Sequence, residues 1–413
     1  MTLEVTSREF NAGESWKLFE HLPENPLVFS RQGEGLIGFG EALRLTARGD
    51  DRINNLARQW RSVCAAAVVD DSVQASGSGL IAFGSFAFAA ESDLESVLVV
   101  PQIVVGLRDG RAWFTHIVHD GASGDSVRAL PAFASEIQFY PTASKLSFDS
   151  GAMDADGFTA AVADAIAHIR KHDIEKVVLA RDITAKLPAE FDLRPTLQRI
   201  ANRFSSCWTY SVDGTFGASP ELLVRVANGQ VSARVLAGTA GRGTDPSIDV
   251  AISQALSASA KNRSEHAFAV DSLVRSLTPY CTAIETDAEP FSLALPNLWH
   301  LASDVQGVLR ESASSIDLAA ALHPTAAVAG TPTDLAQAMI AELEPFDRGR
   351  YAGPVGWIGA DGDGEWAIAL RGAQIVGDTV TAYAGCGIVA ESDPAAELAE
   401  TELKFSPIRN AFA

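Results

Sequence analysis

The chain has 413 residues, 47% of them hydrophobic, enough to bury a large core and too many for a disordered chain. Lys and Arg total 32 against 52 Asp and Glu, a formal net charge of −20, and the longest basic cluster is Arg170-Lys171-His172; this argues against a nucleic-acid or anionic-membrane partner. No apolar run approaches the roughly 18 residues that span a bilayer, and Met1-Thr-Leu-Glu-Val5 has no leader character, so a cytoplasmic location is expected. The four cysteines (Cys64, Cys207, Cys281, Cys386) lack zinc spacing and read as small buried hydrophobes of a reducing compartment.

In chain order, the first 150 residues are strand-rich. Runs at Pro26–Ser30, Leu80–Ala89, Val97–Gly106 and Ala112–Val118 place β-branched and aromatic residues between Gly and Asp punctuation. Asp70–Gly79 is the best linker candidate, and a second polar stretch covers Pro141–Gly157. Next, Phe158, Ala161, Val162, Ala165, Ile166 and Ile169 share one face of a predicted helix. A strand follows at Glu175–Ile183, then a helix with the stripe Leu193, Leu197, Ile200, Ala201 and Phe204. Asp213-Gly214 and Asn228-Gly229 are strong hairpin signals. Ile248–Leu277 reads as helical, and further hairpins are marked at Asp361–Gly364 and Gly377-Asp378. The last helix starts at Asp393-Pro394, an N-cap and first-turn pair. Tight hairpins make antiparallel neighbours. The expected fold class is therefore α+β, antiparallel sheets covered by helices, rather than a doubly wound parallel sheet.

Several tempting motifs fail. Asp361-Gly-Asp363-Gly-Glu365-Trp366 starts like a calcium loop, but Trp366 stands where glycine is needed. Gly238-Thr-Ala-Gly241-Arg-Gly243 lacks the Lys-Ser/Thr of a phosphate loop. What remains is charge set in apolar segments. Lys176 opens an apolar strand, where it either reaches solvent or, enclosed, acts as a base. Glu221, before Leu222-Leu223-Val224, is either an edge residue or a carboxyl with a raised pKa, suited to a general acid. Glu397, Glu400 and Lys404 share one helical face, as a solvated salt-bridge face or a carboxylate pair for a hard cation, with Glu265 as a possible third carboxylate.

Read together, these segments resemble the chorismate-utilising enzymes. The resemblance covers about residues 158–412. It rests on Lys176-Val-Val-Leu-Ala-Arg181, Ala218-Ser-Pro-Glu-Leu222, Leu236-Ala-Gly-Thr-Ala-Gly-Arg-Gly243 and Lys261-Asn-Arg-Ser-Glu-His266. Leu298-Trp-His-Leu301, Leu322-His-Pro-Thr325, Tyr351-Ala-Gly-Pro-Val-Gly-Trp357, Ala369-Leu-Arg371, Ala384-Gly-Cys-Gly-Ile-Val389 and Glu397-x-x-Glu400-Thr-Glu-Leu-Lys404 follow in the same order. It implies a single α+β domain over residues 1–413, with two large antiparallel sheets and helices packed outside. Residues 1–150 would be its divergent part and 155–410 its motif-bearing part.

The resemblance also implies Mg²⁺ as cofactor, chorismate as the substrate partner and a monomer. Lys176, where amide-bearing anthranilate synthases differ, points to a water-using member. Ala237 stands where aminodeoxychorismate synthases with a lysine nucleophile carry that lysine. Ala327 stands where salicylate synthases tend to have threonine. The implied reaction is isomerisation of chorismate to isochorismate, for menaquinone or catechol siderophore synthesis; salicylate synthase and an amidotransferase large subunit are the alternatives. In this reading Lys176 is the base and Glu221 the acid. Glu265, Glu400 and Glu397 hold the metal. Gly238, Thr239, His300, Ala327, Tyr351, Arg371, Gly385 and Lys404 contact substrate.

Overall fold

Both strong hairpin signals close two-residue turns. Asp213 and Gly214 have φ of 49° and 78°, Asn228 and Gly229 of 52° and 71°, the left-handed pair whose twist suits the flanking strands. The computed structural model describes residues 2–13, 16–119, 140, 145–171, 174–243, 245–294 and 298–413, apart from the side chains of Thr239, Glu265 and Leu298. Among the described residues the strands form two large sheets, of 13 and 10 strands, with helices alongside, so the α+β class holds. No helix among them is long and apolar enough to cross a membrane.

The chain divides into two compact units. The first holds Met1–Glu221, His323–Ala360 and Ala367–Ala413; the second holds Leu222–Leu322 and Asp361–Trp366. The first contains the whole 13-stranded sheet. One half of that sheet runs Asp149–Ser150, Lys176–Lys186, Thr379–Ile388, Gly372–Val376, Thr215–Ser219 and Trp208–Val212. It continues through Leu27–Arg31, Glu34–Phe39, Ile103–Arg108, Arg111–His119, Leu3–Phe10 and Val68–Asp71. Only the last pair is parallel. The N-terminal strands thus continue the sheet that carries the motifs, through the pairing of Leu27–Arg31 with Trp208–Val212.

One face of this sheet is covered by the helices Arg194–Arg203 and Pro394–Ala411. Val28, Ile37, Leu197, Ile200, Phe216, Phe405, Ile408 and Phe412 form a buried cluster there. Each such side chain contributes about 1.5–3 kcal/mol on full burial. The predicted stripe Phe158 to Ile169 is buried in the helix Ala155–Ile169 at all six positions. The terminal helix starts as expected, Asp393 accepting from the Ala396 N–H at 2.9 Å.

Three expectations change. Asp70–Gly79 is not a linker: Val68–Asp71 is an edge strand, and the Asp71 carboxylate accepts from the Val73 N–H (2.9 Å) and the Ser78 hydroxyl (2.5 Å), folding the polar residues into a turn. Val97–Gly106 is two strands, Ser96–Val100 and Ile103–Arg108, on either side of Pro101, which lacks a ladder donor. Ile248–Leu277 is two helices, Pro246–Ala258 and Ala260–Leu277, broken at Ser259, whose hydroxyl caps the second.

In the second unit, Leu222–Ala227, Gln230–Gly241, Leu298–Leu309 and Cys281–Thr286 form consecutive antiparallel pairs. The helix Ala260–Leu277 is tied to this sheet by buried His266, whose ring nitrogens meet the Ala237 carbonyl (3.1 Å) and the Ser303 hydroxyl (2.9 Å). None of the four cysteines forms a disulfide, and Cys281 and Cys386 are buried.

Candidate active site

Lys176 is the first residue of its strand and is partly buried. The strand pairs antiparallel with Thr379–Ile388, setting Val178 opposite Gly387 and Ala180 opposite Gly385. A Cβ on Gly387 would stand 2.6 Å from Lys176 Cε. The lysine stem therefore lies across the bare backbone of Gly387, and a glycine there gives it room. Gly387 belongs to a quoted motif, but this role was not legible from sequence.

Glu221 is held through its main chain. The buried Ser219 hydroxyl donates to the Ile368 carbonyl at 2.6 Å and lies 3.2 Å from the Glu221 N–H. The Ile368 N–H in turn donates to the Glu221 carbonyl at 3.0 Å. Ser219 thus anchors the Glu221 main chain, a role that sequence reasoning missed; a small hydroxyl two residues before an apolar-flanked Glu was its signal.

The same strand ends bring in Arg371. Gly217 pairs with Gly372, and the Ala218 N–H reaches the Arg371 carbonyl at 3.3 Å. The buried Tyr210 hydroxyl donates to the Leu370 carbonyl at 3.0 Å, and a Cβ on Gly372 would stand 2.1 Å from that hydroxyl. Arg371 itself has φ of 50°, a left-handed conformation that a non-glycine residue adopts at a cost of order 1 kcal/mol. The surrounding bonds hold it there.

Glu221 shows that these segments converge. Burial raises its pKa, while Lys176, Arg371 and Lys404 pull it down. Surrounding protein penalises its charged form although part of the residue remains accessible. Three cations from distant stretches, Lys176, Arg371 and Lys404, thus act electrostatically on one carboxyl, Glu221.

Lys404 donates to the Gly385 carbonyl at 2.7 Å and pairs with Glu400 at 2.6 Å. The helix salt bridge therefore exists, and it also delivers the ammonium to the Gly385 strand. A Cβ on Gly385 would approach the Leu179 carbonyl to 2.8 Å and the Tyr351 hydroxyl to 3.2 Å. Tyr351 is buried and stacked on Tyr383, ring centroids 5.1 Å apart, and burial pushes its pKa up to about 12. It stays a neutral hydroxyl. Ala327 is exposed, while the neighbouring Val328 is buried.

Glu397 and Glu400 stand one turn apart on the terminal helix, and Glu400 is half exposed. Their donors are carboxylate oxygens, the type a hard divalent cation takes, so the pair fits Mg²⁺. Glu265 lies on the helix Ala260–Leu277, its side chain outside the described residues. Among the described residues no group of three or more His, Cys, Asp or Glu side chains is gathered for a metal.

The second unit places its own candidates along one pair of strands. Gly238 sits at a bulge in Gln230–Gly241, with φ of 80° and with Asn262 Cβ 3.2 Å from where its own Cβ would be. Thr239, whose side chain lies outside the described residues, pairs across the ladder with His300, which is partly buried. Next to it, Trp299 donates to Asp249 at 2.8 Å, and Arg242 and the Gly243 N–H bind the same carboxylate, holding its pKa well below the usual range. Asp249 was not singled out from sequence; it organises the glycine-rich turn.

Comparison with known proteins identifies the family. The model of the family described as chorismate binding enzyme matches residues 6–413. Isochorismate synthase MenF of Bacillus subtilis is 30% identical over 399 residues, covering 91% of this chain and 85% of the relative. The salicylate biosynthesis isochorismate synthase of Pseudomonas aeruginosa is 32% identical over 412 residues, covering 94% and 85%. Among solved structures, the menaquinone-specific isochorismate synthase MenF of Escherichia coli superposes with a TM-score of 0.80 over 100% of this chain and 95% of the other, at 24% identity, a likeness of fold. With a family model spanning nearly its whole length and full-length relatives at this identity, the chain belongs to the chorismate-binding enzyme family.

Proposed function

We propose that this protein is an isochorismate synthase, which moves the hydroxyl of chorismate from C4 to C2 and feeds menaquinone or catechol siderophore synthesis. The observation that carries the reading is the environment of Glu221, a carboxyl that burial pushes toward its protonated form against the pull of Lys176, Arg371 and Lys404. A general acid must hold its proton until the leaving group needs it, and a raised pKa does this.

In the proposed reaction Lys176, once its ammonium has given up a proton to solvent, takes a proton from the water that attacks C2. The ring double bonds shift, and the C4–O bond breaks. Glu221 gives its proton to the departing hydroxyl, which leaves as water. Lys176 then carries the extra proton and Glu221 the negative charge, and exchange with solvent restores both. In the reverse direction the roles swap. Arg371 offers a planar fork to the pyruvyl carboxylate. Tyr351, Gly385 and Lys404 complete the polar contacts of the first unit, and Ala327 adds a small apolar surface.

Mg²⁺ bound by Glu400 and Glu397 would neutralise a substrate carboxylate and draw electron density from the ring. The family resemblance adds Glu265 to the ligands and Gly238, Thr239 and His300 to the substrate contacts. One catalytic domain acting as a monomer belongs to the same proposal.

The test incubates the pure protein with chorismate and Mg²⁺ and resolves the products by chromatography. A parallel sample contains lactate dehydrogenase and NADH to report pyruvate. Isochorismate without pyruvate is expected. Stoichiometric pyruvate with fluorescent salicylate would replace the isomerase reading with a pyruvate-releasing one.

A further inference from the structure

The strand that carries Lys176 has an incomplete edge. Gly330–Thr331 pairs with it at Lys176–Val177, and Asp149–Ser150 pairs at Ile183–Thr184. Between these short strands, two buried side chains take over the ladder. Glu344 accepts from the Ala180 N–H at 2.8 Å. Arg348 donates to the Val178 carbonyl at 2.7 Å. Together the carboxylate and guanidinium satisfy backbone groups that a neighbouring strand would otherwise take.

The pair is closed on itself. Arg348 donates to both Glu344 oxygens, at 2.8 and 2.6 Å, and the two side chains are 3% and 1% exposed. A further Arg348 N–H donates to the Val328 carbonyl at 2.9 Å. The Arg348 carbonyl accepts from the Tyr351 N–H at 3.0 Å, and its guanidinium lies 5.9 Å from the Tyr351 ring centroid and 4.5 Å from that of Phe88. One planar cation therefore bonds the Lys176 strand and the Val328 carbonyl and lies beside the Tyr351 ring, while its own main chain bonds the Tyr351 turn. A lysine could hold the charge but not this fork.

We propose that Arg348, clamped by Glu344, is the positioning residue that holds the base strand, the Ala327–Val328 segment and Tyr351 in mutual register. It acts through these segments without touching substrate. The inference rests on the isochorismate synthase reading for its kinetic test and is independent of that reading for its structural test.

The variant is Arg348→Lys, which keeps the charge and the Glu344 partner. A 1 Å misplacement costs on the order of 10²-fold, so kcat per folded enzyme should fall by about that factor while KM for chorismate stays within about threefold. Amide exchange at Val178 and Ala180, measured by NMR, should quicken at least about tenfold. Glu344→Gln, nearly isosteric, is the second variant, with a kcat loss of about tenfold within the same limit. A variant with wild-type kcat per folded enzyme, or one that lowers only the melting temperature, would overturn the proposal. If the unmodified protein makes no isochorismate, the functional reading fails; the exchange measurement still decides the clamp, and unchanged exchange overturns it.

Discussion

The two units present their candidate residues in different ways. The first supplies charged side chains, Lys176, Glu221, Arg371 and Lys404, from strand ends and one helix of a deeply buried framework. The second supplies backbone shape: a bulge at Gly238, and a glycine-rich turn held by Asp249. A charged group that must transfer a proton needs a low-polarity setting and fixed partners, which only a large packed core provides. A backbone donor needs only the right φ and ψ, which a bulge in a two-stranded ladder can supply. Loss of the charged groups of the first unit should therefore appear in turnover, and a strained substitution at the Gly238 bulge mainly in folding.

Removal of the metal is the harshest test of the charged side. Chelation should abolish activity and Mg²⁺ should restore it, while Glu400→Gln should weaken Mg²⁺ activation in a folded protein. Full activity in metal-stripped protein would leave Glu400 and Lys404 as an ordinary helix pair, worth about 0.2–0.5 kcal/mol. Next come the proton-transfer groups. Lys176→Gln and Glu221→Gln should each lower kcat by at least about 10²-fold with circular dichroism unchanged. Near wild-type turnover in either would remove that residue from its role.

Two glycine substitutions sharpen the contrast directly. Gly387→Ala sets a methyl 2.6 Å from Lys176 Cε without demanding an unusual backbone, so it should cut kcat, by up to about 10²-fold, and barely move the melting temperature. Gly238→Ala forces alanine to φ of 80° against Asn262, so it should cost about 1–2 kcal/mol of stability in denaturant titration. The reverse pattern would show that the division between side-chain and backbone roles is wrong.

The smallest effect concerns pH. As the proposed acid, Glu221 would act protonated, so kcat should fall as pH rises through its pKa. Lys404 stabilises the carboxylate and lowers that pKa. Lys404→Gln removes a cation, leaves the anion less stabilised and should move the alkaline limb of the profile to higher pH. A limb that stays in place, or moves down, would detach it from Glu221.

Much of this was readable beforehand. Hairpin dipeptides, the six-residue stripe of Phe158–Ile169 and the Asp393-Pro394 helix start are local signals, decided by φ preferences and by which face of a helix is apolar. The Asp70–Gly79 segment misled because composition cannot tell an exposed edge strand and its turn from a linker. The motifs named Lys176 and Glu221 but left each with a bland alternative, because strand position alone does not say whether a charge is enclosed; Arg371 was named only by the family resemblance.

Composition, periodicity and short motifs by themselves determined the α+β class, most elements and the candidate residues. Only the tertiary structure decided that Lys176, Arg371 and Lys404 act electrostatically on Glu221, that Ser219 holds the Glu221 main chain and Gly387 leaves room for Lys176, and that Glu344 and Arg348 complete the edge of the Lys176 strand. The reason is physical: propensities act over a few residues, whereas burial, electrostatic reach and the satisfaction of backbone groups depend on segments more than 100 residues apart in the chain.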